Sequence, residues 1–503
     1  MYDDSLMALP NPPAFTKPQR VFQPHDALAA IGCMVLGFLL VRYLLFNTDG
    51  FVTSAVFLLM FFCTLWYHRK CGYKALAGHR LLGSVICLFA CSFSVTASPL
   101  PHTLTAVFLI IAMCWYHYAV AHGHSRIPRF FFFYLTGLHT MDEFSAGYEI
   151  VGKSLKNSKV GSKVRIIVVG LLISLPLTLL VAALLSSADA GVAEVLRRIG
   201  KLFTEDFFEI LWEILFGLLV GAWMFAAMYC ATNNARYPEI CDAVFEQRLE
   251  DKRIIPTLGL CASVTPICLL YTVYVISQIS YFCSAFFGKL PDTMSYAEYA
   301  RRGFFELCAI AVLNLLVILV ATGCCKRTEG KQPTAAKIYG CVLCLFTLFI
   351  IATAIAKMVL YIDAYGLTRL RLYTTWFMVL LAIVFVVILA MQFTHKIHPA
   401  RILVTSFIVL FTLLVFSRPD ALVAEYNITR WQDGTLKNPD WELICSLSDD
   451  AYTVICNHWD ELPEEQQAYV ISKYNNRRYA LQPETTWNLS TQYLLYAWEL
   501  NHE

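Results

Sequence analysis

The stretch IYGCVLCLFTLFIIATAIAKMVL, residues 338–360, decides the fold. Its only charged side chain is Lys357. About 20 largely apolar residues in a helix cross the hydrocarbon core of a bilayer. The segment must be helical there, because each backbone N–H and C=O has to find its partner within it. Ten further runs of this kind lie at 28–46, 51–67, 81–97, 103–121, 166–186, 208–230, 258–287, 303–324, 372–393 and 400–417. The expectation is an all-α membrane protein of about eleven transmembrane helices.

Composition agrees. Of 503 residues, 58% are hydrophobic and 15% charged, with mean hydropathy +0.56, against about 45–50% apolar and about 25% charged in soluble domains. That balance excludes a soluble enzyme, a collagen-like chain and a disordered one. A net charge of +2 gives nucleic acid no reason to bind. Sixteen of the eighteen cysteines lie in or beside apolar runs, where a thiol behaves as a small hydrophobe.

Lys and Arg set the orientation. With the N-terminus inside, the inner segments carry 23 of them and the outer loops between spans carry 8. Residues 1–26, punctuated by five prolines and lacking a cleavage site, read as a cytoplasmic tail. Residues 27–418 form the bundle. Within it, 192–208 has the pattern of an amphipathic helix lying on the outer leaflet, and 130–138 is too short to cross.

Residues 419–503 read as a small helical extracytoplasmic module. They hold 14 Asp and Glu against 5 Lys and Arg, and half of the ten tryptophans. Ser448 followed by two acids, and Pro463 followed by Glu464 and Glu465, look like helix starts. Cys445 and Cys456 are either a disulfide, if the module faces an oxidising exterior, or thiols on apolar helix faces. The N-x-T at Asn427 and N-x-S at Asn488 have meaning as glycosylation sites only in a secretory eukaryotic setting.

Charge inside a membrane marks function by default. Ser295-Tyr296-Ala297-Glu298 reads as a capping box that opens the eighth helix from outside, with Tyr299, Arg302 and Glu306 on one face. The ninth span contributes Lys357, Tyr361 and Asp363. Tyr365-Gly366-Leu367-Thr368 reads as a helix stop followed by an N-cap, after which Arg369 and Arg371 open the tenth helix. Gln278 lies on the polar outer part of span seven, which contains Pro266. Together with Arg301 these groups would make an outward-facing charged and aromatic pocket for an anionic ligand, such as a lipid-linked phosphate or carboxylate. The alternative is an ion-pair network locking the helices.

Other signals are weaker. Trp115-Tyr116-His117-Tyr118, with His122 and His124, lacks the spacing of a metal pair and reads as interfacial aromatic anchoring. Cys341-Val342-Leu343-Cys344 is C-x-x-C in letter only, and Cys324 with Cys325 ends a span on the reducing side. No phosphate loop, nucleophile elbow or zinc motif is present, so neither a cofactor nor a catalytic residue is assigned.

The segment L-P-D-T-M-S-Y-A-E-Y-A-R-R-G-F-F-E-L from Leu290 and Y-G-L-T-R-L-R from Tyr365 resemble a bacterial family of integral membrane proteins catalogued only as a domain of unknown function. So do Pro419-Asp420-Ala421-Leu422, Tyr426-Asn427-Ile428-Thr429-Arg430 and Leu447-Ser448-Asp449-Asp450-Ala451. The resemblance covers about 258–455 and marks Tyr296, Tyr299, Arg301, Arg302, Gly303 and Phe304. It implies a bacterial inner (cytoplasmic) membrane and a cell-envelope role, with no assigned reaction. The functions left open are a transporter or lipid-handling protein, a non-catalytic envelope sensor or assembly partner docking through the C-terminal module, and a membrane enzyme acting on a lipid-linked substrate.

Overall fold

A computed structural model describes residues 23–46, 50–121, 205–232, 253–286, 304–327, 333–394, 396–481 and 487–500, with a few isolated positions between them. Ten long helices come first: α1 (Pro24–Val41, continued by a π turn Arg42–Phe46), α2 (Gly50–Lys70), α3 (Ala77–Val95), α4 (Pro99–Ala121), α5 (Glu205–Thr232), α6 (Thr257–Phe286), α7 (Phe304–Cys324), α8 (Thr334–Tyr365), α9 (Arg369–Phe393) and α10 (Pro399–Phe416). Five more follow: α11 (Pro419–Gln432), α12 (Trp441–Ser446), α13 (Asp449–Asn457), α14 (Glu464–Leu481) and α15 (Leu489–Leu500). Among the described residues there is no strand, only an isolated bridge between Ile255 and Cys325.

Nine of the described helices, α1–α6 and α8–α10, are long and apolar enough to cross a membrane, and α7 carries the shorter apolar stretch Ala309–Ala321. This is a multi-pass membrane protein. The expected span at 166–186, the segment 130–138 and most of 192–208 lie outside the described residues. Helix α1 begins at Pro24, earlier than its apolar run, because Asp26 caps it by accepting from the Gln23 N–H at 2.8 Å.

Two apolar cores divide the bundle. Phe57, Phe61, Phe89, Phe93, Leu109 and Tyr116 from α2–α4 pack with Phe411 and Leu414 of α10. Helices α6–α9 build the second around Leu343, Ile350, Ala354, Met378 and Phe385. The two meet where α9 lies on α10: the Trp376 Nε1–H donates to the Leu410 carbonyl at 2.9 Å, and its ring lies against Phe407 and Phe411.

Among the described helices, α1 and α5 make the most extensive contact. Gly217 and Gly221, one turn apart, face Gly37, so the two backbones touch. A Cβ on Gly37 would lie 2.4 Å from the Gly221 nitrogen, and one on Gly221 would lie 2.5 Å from the Cys33 carbonyl oxygen. Such small-xxx-small seams are how membrane helices maximise packing where no hydrophobic effect separates helix from lipid. Beyond the seam Arg42 pairs with the buried Glu213 at 3.3 Å.

Polar contacts join α1, α2, the α2–α3 loop, α4 and α5. The Tyr67 hydroxyl donates to Asp26 at 2.8 Å, the Tyr73 hydroxyl donates to the Thr232 carbonyl at 2.8 Å, and His68 Nε2 lies 3.0 Å from His117 Nδ1. His117, Trp115, Tyr116 and Tyr118 are all buried. They therefore pack inside the bundle rather than anchoring it in the headgroups, although α4 keeps an open apolar face at Leu104, Val107 and Ile111; His122 and His124 lie outside the described residues. Among the described residues no group of three or more His, Cys, Asp or Glu is placed to hold a metal ion.

Candidate functional site

Helices α11–α15 form a cap with a hydrophobic core of its own, separate from the two in the bundle. Val423, Ile428, Ile444, Leu447, Tyr452, Ile455, Trp459, Tyr474 and Trp498 are buried in it. The expected helix starts are present, since Ser448 precedes α13 and Glu464 opens α14. The apolar run from Trp441 to Ala451 is two helices, broken at Leu447–Ser448.

Among the described residues, the bundle contributes Leu367 to this core, with Ile362 and Leu372 packed against it. Helix α8 stops at Gly366, whose φ of 77° is left-handed, and Thr368 caps α9 by accepting from the Arg371 N–H. Both follow from the sequence. Between them Leu367 is buried among cap side chains. Asn427 of α11 brackets its backbone, accepting from the Leu367 N–H and donating to the Leu367 carbonyl, each at 2.8 Å. A Cβ at Gly366 would lie 2.3 Å from that Asn427 oxygen, so glycine is required twice over.

Two carboxylates with no exposure complete the attachment. Asp420, in the first turn of α11, receives a two-pronged bond from Arg369, 2.6 Å from Nε and 2.6 Å from Nη2, and accepts from the Ser448 N–H at 3.0 Å. Burial alone would raise its carboxyl, but Arg369 and Ser448 outweigh burial and hold it below the usual carboxylate range. Asp450, in the first turn of α13, accepts from Thr96 Oγ1 at 2.6 Å, the Ala97 N–H at 2.9 Å, Ser98 Oγ at 3.2 Å, Arg418 Nε at 3.0 Å and the Ser490 hydroxyl. One carboxylate thus ties the α3–α4 loop, the α10–α11 junction and α15.

Arg418 makes that junction sharp. Its φ of 51° is left-handed, a conformation that costs a non-glycine residue roughly 1–2 kcal/mol. Its guanidinium answers with bonds to Asp450, Thr453 and Ser490, each at 3.0 Å.

The sequence-predicted pocket residues divide. Tyr296, Glu298, Tyr299, Arg301 and Arg302 lie outside the described residues, as do the side chains of Gln278 and Glu306, whose backbones belong to α6 and α7. The described members gather at the cap end of α8 and α9. Arg369 is taken by Asp420. Asp363 pairs with Arg430 of α11 at 3.0 Å. Tyr361 and Tyr365 meet edge to face at 5.3 Å, and the Arg371 guanidinium sits 3.9 Å from the Tyr361 ring centre. Arg371 Nη1 also donates to the carbonyls of Tyr365, at 3.1 Å, and Gly366. Lys357 lies one turn before Tyr361, half-buried.

Asp420, Asp450, Arg418 and Asn427 were not among the predicted site residues. Three of them, Asp420, Asn427 and Asp450, stand in the segments that carry the family resemblance. Asn427 and Asn488 are buried, and Asn488 accepts from the Thr491 N–H at 2.8 Å, so both asparagines of the N-x-S/T pairs have structural work.

Cys445 and Cys456 are both buried thiols. Burial pushes Cys445 up to about 11, with Lys473 and Tyr452 offsetting a little, and burial alone pushes Cys456 up to about 12. At pH 8 an alkylating reagent is expected to leave both untouched in the folded protein and to modify both after denaturation, read by mass spectrometry. Folding holds these thiols neutral where an unfolded thiol, near 9, ionises. Above that value the unfolded chain binds fewer protons, so stability falls as pH rises from about 9 towards 11.

A family model described as a domain of unknown function (DUF4153) matches residues 83–458, from α3 to just past α13. It includes Asp420, Asp450 and their partners Thr96, Arg369 and Arg418. No curated protein and no solved structure matches the chain.

Proposed function

Because the chain belongs to the family of proteins carrying the DUF4153 domain of unknown function, we propose a multi-pass transporter or lipid-handling protein of the bacterial cytoplasmic membrane. In this reading the chain has eleven spans, an inner N-terminus and a cap on the outer face. The Lys and Arg asymmetry between loops supports that orientation. The ligand is an anionic lipid or lipid-linked phosphate, taken at the cap end of α8 and α9.

The observation that carries the reading is Arg371. Arg369, Arg418 and Arg430 are each matched to a carboxylate of their own. The partners of the Arg371 guanidinium are neutral, two carbonyl oxygens and an aromatic face, and among the described residues only its Nη1 is hydrogen-bonded. A cation held by neutral groups keeps its charge and two donating nitrogens for an incoming anion. Lys357 adds a second positive charge deeper on α8.

The test is ligand-induced stabilisation of the purified protein. Short-chain phosphatidic acid is expected to raise the unfolding temperature of the parent chain, and Arg371→Ala is expected to remove that rise. An equal rise in both proteins would remove Arg371 from the site. A rise with inorganic phosphate as large as with the lipid would show that the headgroup alone is read.

A further inference from the structure

Helix α15 carries two faces of opposite use. Ser490, Thr491, Leu494 and Trp498 are buried. The Ser490 hydroxyl bonds Asp450 and the Val95 carbonyl, the latter at 3.0 Å, while the Trp498 ring lies 3.9 Å from Tyr474 and 5.6 Å from Trp459. This face belongs to the seam and the cap core. On the opposite side Leu489, Tyr493 and Tyr496 are 56%, 51% and 62% exposed, and at 3.6 residues per turn they fall in a sector about 60° wide. An acidic surface module has no internal reason to line three such side chains along one outward stripe.

The position of α15 says what covers the stripe. Trp487, just before the helix, accepts the Phe51 N–H at its carbonyl, 3.0 Å away, and its ring stands edge-on to Phe51 at 5.0 Å. Phe51 is the second residue of the candidate span α2 and is itself largely exposed. The stripe therefore begins beside the first turn of α2 and lies opposite the buried face of α15, with the Tyr493 hydroxyl also donating to Asn457 at the end of α13, 3.4 Å away. Trp and Tyr, apolar in body and polar at the tip, are the side chains that settle at headgroup level.

We propose that Trp487, Leu489, Tyr493 and Tyr496 seat α15 on the bilayer, with the lipids of the leaflet beside the cap as their partner. The cap then rests on the membrane surface next to α2 and α3. Asp450 fixes its inner side, and the aromatic stripe fixes its lipid side.

The test places p-benzoylphenylalanine singly at Tyr493, at Tyr496 and at the exposed Lys437 of the α11–α12 connection, in the full chain reconstituted into phosphatidylcholine nanodiscs. After illumination, intact-mass analysis is expected to find phosphatidylcholine adducts at 493 and 496 at several times the level at 437. Equal adduct levels at all three positions would overturn the proposal. So would cross-links from 493 and 496 to a second copy of the chain in place of lipid.

Discussion

Asp450→Ala is expected to release the cap, lowering stability by about 3–5 kcal/mol, the cost of removing one partner from a buried, hydrogen-bonded ion pair. The size follows from what remains. Arg418 stays half-buried in a left-handed conformation with its guanidinium uncompensated. Thr96 and Ser98 lose their carboxylate acceptor together with the Ala97 N–H, and Ser490 keeps only the Val95 carbonyl. Each buried donor left without a partner costs a further share of its desolvation. Limited proteolysis in bilayers should then cut the chain between α10 and α11, where the parent resists. Asp450→Asn keeps the shape but presents an N–H₂ to the same donors, so it is expected to fail in the same way. A stability within about 0.5 kcal/mol of the parent, the range of an ordinary surface substitution, would show that the buried carboxylate does not hold the cap.

Gly221→Leu is the second large effect, and it acts at the far side of the bundle. No rotamer helps, because the clash begins at Cβ, with the Cys33 carbonyl oxygen at 2.5 Å and the Met34 Cα at 2.6 Å. Helices α1 and α5 must separate, which also breaks the Gly37–Gly217 contact and lengthens the Arg42–Glu213 pair. Overpacking of a tight contact costs about 1–3 kcal/mol, and here a whole helix must move. Denaturant-titrated unfolding in detergent should show that loss. Leu218→Ala, on an exposed side of the same helix, should be nearly neutral.

The two sites differ in how far sequence could reach them. Spans are readable because crossing a bilayer needs only length and apolarity, which a run such as 338–360 displays by itself. Gly366, Thr368 and Ser448 were also readable, since caps act within a few residues. Gly217-x-x-x-Gly221 advertises a close approach but does not say to which helix. The aspartates were harder. Asp420 and Asp450 read as members of an acidic tail and as the first-turn acids of helices, which they also are. Their partners lie far away in the chain: Arg369 is 51 residues from Asp420, and Ala97 is 353 from Asp450. No local pattern separates a solvated first-turn acid from one that fastens two modules. The outward-facing pocket combined both kinds of group. Arg369 and Asp363 serve the cap, whereas the Arg371 guanidinium bonds the carbonyls of Tyr365 and Gly366 at the end of α8.

Buried ion pairs fasten the cap to the bundle, and a double-mutant cycle across Arg369 and Asp420 probes that attachment. Arg369→Ala, Asp420→Ala and the double variant would be compared by unfolding in the same lipid. A two-pronged, buried pair predicts that each single change is strongly destabilising while the double variant costs clearly less than their sum, with a coupling of about 2–3 kcal/mol. Additive losses, with coupling below about 0.5 kcal/mol, would contradict it.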